Sequence, residues 1–73
     1  MASKLRKGSR VVWLWLGRGI EGVVEEVHHE PVVRVIKGKR IKRNGSSTTP
    51  AYLVRSSAGN LALKLAKELK QAD

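Results

Sequence analysis

The sequence predicts a small all-β domain, and three observations lead there. Runs rich in β-branched and aromatic residues recur at short intervals, over residues 9–16, 20–28, 32–36 and 51–55. Turn-forming clusters separate them, at Gly17-Arg18-Gly19, Glu30-Pro31, Lys37-Gly38 and residues 44–50. With 73 residues and no cysteine, the chain makes one domain whose core is small and unaided by disulfides.

The first strand spans residues 9–16. Its two faces, Val11/Trp13/Trp15 and Val12/Leu14/Leu16, are both apolar. A strand of an ordinary antiparallel sheet shows one polar face, so this one is either covered on both sides or offers an apolar stripe to a partner. Gly17-Arg18-Gly19 supplies the turn. The second strand, 20–28, contains Gly22, which suggests a bend, and Glu25-Glu26 breaks its alternation as a bulge does. After Glu30-Pro31 come a third strand at 32–36, a tight turn at Lys37-Gly38 and a basic return arm at 39–43. Residues 44–50 form a loop, 51–55 a strand around Tyr52 and Val54, and Gly59-Asn60 a turn. Residues 61–70 are ambiguous: Leu61, Leu65 and Leu69 fit a helical stripe, whereas Leu61, Leu63 and Leu65 fit a strand. Residues 1–7 read as a basic flexible lead-in, 8–70 as the domain and 71–73 as a tail.

Lys plus Arg number 15 against 6 acids, a formal charge of +9. At 41% hydrophobic, the chain has enough apolar residues to fold. No apolar run approaches the ~20 residues of a membrane span. Lys4, Arg6, Lys7 and Arg10 ahead of an apolar run imitate a signal peptide, but the run is too short. The reading is a cytoplasmic protein without a membrane partner.

An ordered set of motifs adds to this reading. Arg10-Val11-x-Trp13-x-Trp15, Glu21-Gly22, Glu26-Val27, Ile36-Lys37-Gly38, Arg43-Asn44, Pro50-Ala51-Tyr52-Leu53-Val54 and Gly59-Asn60-x-Ala62-Leu63-Lys64 occur in sequence at compatible spacing. Together they resemble the hypervirulence-associated protein TUDOR-domain family over roughly residues 5–70. The resemblance implies a five-stranded SH3-like (Tudor-like) barrel. It also implies that residues 61–64 are a last strand, followed by a short helical turn near 66–69. It brings no assigned biochemical activity. The chain departs from the family at Val12, Leu14 and Leu16, where polar residues are usual, and at Leu65-Ala66.

The strongest chemical signal is the basic hairpin. Arg34, Lys37, Lys39, Arg40, Lys42 and Arg43 lie within ten residues that contain no acid. Alternation on two arms places several of these cations on one side, where they would neutralise phosphates without reading sequence. The same charges also protect a sheet edge from aggregation, and that reading stays open. No exposed aromatic is interleaved with the cations, so base stacking has no evident provider. The alternative function is a protein-interaction or self-assembly module that uses Val12, Leu14 and Leu16.

Other chemistry is poorly supported. Trp13, Trp15 and Tyr52 are expected to pack in or near the core rather than build a cage for a methylated cation. His28 and Glu30 supply two ligands where a structural metal site needs four, so no metal is expected. The plasmid-type dihydrofolate reductase shares the expected fold, but its Val-Gln-Ile-Tyr pore strand is matched here by Leu61-Ala62-Leu63-Lys64. With no nucleophile–base pair or phosphate-binding loop either, the reading is a binding module and not an enzyme, with no cofactor.

Overall fold

The structure, a computed structural model, describes residues 5–72. Strand β1 (Arg10–Trp15) turns directly into β2 (Arg18–His28), which pairs with it from Trp15↔Arg18 to Arg10↔Val23. The turn is Leu16-Gly17, one residue earlier than the sequence suggests, with φ of 51° and 79°. Positive φ at both central positions marks the primed turn that suits two-residue hairpins. Leu16 is a poor residue for that geometry, which is why Gly17-Arg18-Gly19 looks like the better turn by composition. Lys37-Gly38 closes the hairpin of β3 (Pro31–Ile36) and β4 (Lys39–Asn44) with the same two angles.

Strand β5 (Ala51–Ser56) pairs with β2, and the register slips between Val24 and Glu26. Glu25 is therefore the extra residue of a bulge, at the place where alternation falters in the sequence. Strand β6 (Leu61–Leu65) pairs with β5. The ambiguous segment is thus a strand, followed by a 3-10 turn at Ala66–Glu68 and a two-residue strand β7 (Lys70–Gln71). In that turn the Leu65 N–H donates to Glu68 Oε1 at 2.8 Å. β7 lies along β1 opposite Val11 and Val12, so residues expected to end the domain help to edge the sheet.

The expected closed five-stranded barrel is not what forms. Among the described residues, seven strands divide into a sheet of order β6-β5-β2-β1-β7 and a separate β3–β4 ribbon. The return arm at 39–44 pairs fully with β3, and β7 is an added edge; together they raise the strand number. No backbone ladder joins the ribbon to the sheet among the described residues, and side chains pack the one on the other.

The core has two parts because β5 is buried on both faces. Tyr52 and Val54 face Val11, Trp13 and Val24, with Leu5 and Leu69 at the margin. Ala51 and Leu53 face the other way with Leu63, under Val32, Ile36 and Ile41 of the ribbon. The residue that completes the first cluster, Leu5, belongs to the segment expected to be a flexible lead-in. Its burial, with Gly8 N–H bonded to the Val24 carbonyl at 2.8 Å, fastens residues 5–8 to the sheet.

Candidate nucleic-acid interface

The register of β3–β4 divides the six hairpin cations. Pairs Val33↔Lys42 and Val35↔Arg40 share one face, and pairs Val32↔Arg43, Arg34↔Ile41 and Ile36↔Lys39 share the other. Val32 is buried and Val35 is 65% exposed, so the second face lies on the sheet and the first meets solvent.

Two of the six cations are engaged by carboxylates in half-exposed ion pairs. Arg34 donates to Glu26 Oε1 from Nε at 3.2 Å and from Nη2 at 2.8 Å, and also to the Val33 carbonyl. Arg43 donates from Nη2 to Glu68 Oε2 at 3.0 Å and from Nε to the Leu63 carbonyl at 3.2 Å. These contacts fasten the ribbon to β2 at one point and to β6 and the 3-10 turn at another. Of the six cations read from the sequence as a phosphate-binding set, Arg34 and Arg43 thus have carboxylate partners, and both acids lie outside the hairpin.

Lys37, Lys39, Arg40 and Lys42 remain exposed, without ion pairs among the described residues. Arg40 and Lys42 stand about 7 Å apart along one strand face, at 3.4 Å per residue. Of the N-terminal basic residues, Arg6 ahead of β1 and Arg10 at its start line separate surface hollows, and Lys4 lies outside the described residues.

Glu26 also accepts from His28 Nε2 at 2.7 Å. That hydrogen bond first, then Arg34, holds its carboxyl below the ordinary 4.5 despite some desolvation. A carboxyl with a lowered folded value stabilises fully above the unfolded value, and its contribution fades as pH falls through the folded one. Glu26→Gln is therefore expected to lose less stability than the parent on acidification below the ordinary carboxylate range, read as urea midpoints. Parallel curves for the two proteins would remove Glu26 from the acid response. His28 is thus paired with Glu26, not with Glu30, and no group of metal-ligating side chains occurs among the described residues.

The aromatic residues diverge. Trp13 and Tyr52 are in the core, whereas Trp15 is 56% exposed at the end of β1, contrary to the expectation of packing. Trp15 and Trp13 line an open cleft of about 560 Å³ to which Lys37 of the ribbon turn contributes. An aromatic beside a hairpin cation was thus missed at the sequence level. Reading the turn as Leu16-Gly17 would have placed Trp15 at the strand's exposed end. Of the apolar stripe, Leu14 (71%) and Leu16 (79%) are exposed and Val12 is half-buried.

The model of the family described as hypervirulence associated proteins TUDOR domain matches residues 8–69. The chain belongs to that family. No curated protein and no solved structure matches it. A TUDOR-type domain is a binding module by type, and this one combines it with a largely β architecture. No helix in the described part of this TUDOR domain is long and apolar enough to cross a membrane.

Proposed function

We propose that this TUDOR domain binds nucleic acid through its phosphates, using Lys37, Lys39, Arg40 and Lys42 of the β3–β4 ribbon. The observation that carries this reading is the division of charge across the ribbon. Arg34 and Arg43 on its inner face have carboxylate partners, whereas Arg40 and Lys42 on its outer face and Lys37 and Lys39 at its turn end have none among the described residues. Four unpaired cations on a twisted surface attract a polyanion, and release of its condensed counterions drives association. Sequence reading is not required.

The test is anisotropy of a labelled single-stranded oligonucleotide at about 50 and 200 mM salt. A slope of about 0.7 per phosphate makes four contacts worth about 50-fold in affinity between these conditions. Absence of binding at the lower salt would leave the charges as protection of the ribbon edges.

A second reading, self-association, has its own support. β7 pairs with β1 at Val11 and Val12, and the Ala72 N–H bonds to the Arg10 carbonyl, so among the described residues the edge from Trp13 onward has no ladder partner, next to Leu14 and Leu16. An open edge with apolar side chains is a site for strand pairing. The formal +9 opposes approach of two copies, and salt screens that repulsion. Light scattering should then show mass rising with both concentration and salt, and a constant monomer mass would eliminate this reading.

A further inference from the structure

We propose that Trp15 and the cleft behind it form a stacking subsite for one nucleobase, so that the domain prefers single-stranded nucleic acid to duplex. The inference rests on the phosphate-binding reading and names its substrate class.

Four observations support it. Trp15 is the one aromatic of the three with more than half its surface exposed. Its neighbours are cationic: Arg18 stands directly across the β1–β2 ladder, and Lys37 lines the same cleft. The cleft is of ligand size at about 560 Å³, with Trp13, Ile20 and Leu61 among its apolar lining residues. Glu21 also lines it. That carboxylate repels a phosphate, so the phosphate stays on the Lys37 side, the entering group carries no negative charge, and the exposed indole face of Trp15 favours a flat one.

A nucleobase meets those requirements. Its face stacks on an indole regardless of base identity, which suits a site with no sequence reading. A base inside a duplex is covered by its neighbours on both faces and must first be unstacked, whereas a base in a single strand is free to swing out. Phosphate contact alone gives the opposite preference, because duplex carries the higher charge density. The two ligands therefore separate stacking from simple charge attraction.

The experiment compares a labelled 12-nucleotide oligothymidine with a duplex of the same length, for wild type, Trp15→Leu and Trp15→Phe at low salt. Far-UV circular dichroism confirms that each variant is folded. The expected result is tighter binding of the single strand by wild type, with partial quenching of tryptophan emission. Trp15→Leu should lose about tenfold on the single strand, keep its duplex affinity and keep its salt slope. Trp15→Phe should retain most of the preference, since a ring remains. Equal single-strand affinity for wild type and Trp15→Leu overturns the stacking subsite while phosphate binding stands. Failure of wild type to bind either ligand overturns both.

Discussion

Lys37→Ser, Lys39→Ser, Arg40→Ser and Lys42→Ser combined should lower single-strand affinity by about a hundred- to a thousandfold at about 50 mM salt, and flatten the salt slope. The four changes reduce the formal charge from +9 to +5 and break no ion pair among the described residues. Stability should therefore stay near the parent's, since exposed cations without partners add little to folding. A variant that keeps the parental slope would move the contacts elsewhere, to Arg18 and the cations before β1. The informative control is Arg34→Ser with Arg43→Ser. Those side chains hold Glu26 and Glu68 and lie on the inner face, so stability should fall while the salt slope persists. Six cations that look alike in the sequence would then separate into two groups by two measurements.

Gly22→Ala should be the most damaging addition of one methyl group. A Cβ at this position would collide with the Arg55 carbonyl oxygen and come within 2.8 Å of Trp13 Cη2. Arg55 belongs to β5, where Ala51 to Val54 are buried on both faces, so the obstructing backbone has nowhere to retreat. Overpacking of this kind costs about 3 kcal/mol, near the top of the usual range. A domain of this length has only about 4–11 kcal/mol in total, so the urea midpoint should fall steeply. Gly19→Ala supplies the opposite sign on the same strand. Its Cβ would sit 3.7 Å from Val12 Cγ1, an ordinary contact, and its φ is not positive. Fewer unfolded conformations should then raise stability by about 0.4–1 kcal/mol. Equal behaviour of the two variants would mean that the close approach at Gly22 is not what limits the sheet.

Local pattern carried most of the strand positions, because alternation and β-branched content are properties of neighbouring residues. The Glu25 bulge was legible for the same reason, as was the β3–β4 turn at Lys37-Gly38. The turn at Leu16-Gly17 was not, since leucine at positive φ runs against its own preference and only the pairing of β1 with β2 enforces it. That one-residue error hid the exposure of Trp15. The partners of Arg34 and Arg43 lie 8 and 25 residues away, beyond any window in which a hairpin looks free of acid. Barrel closure was equally out of reach. Whether β6 meets the ribbon by a ladder or by side chains depends on how a sheet bends, which composition does not encode.

The separation of the backbone into two ladders has a consequence for how the domain comes apart. Every rung of β3 is shared with β4 and none with the sheet. The ribbon can therefore lift away without breaking a strand pairing, losing the cover over Leu53 and Leu63, the Arg43 bond to the Leu63 carbonyl and two ion pairs that are partly solvated. Such a partial opening needs less free energy than complete unfolding. The cations that would grip a polyanion sit on the segment that opens first, and the acids that hold that segment down sit beneath it. A bound strand would then act as a clasp, shifting the balance against opening in proportion to its own affinity for the closed form.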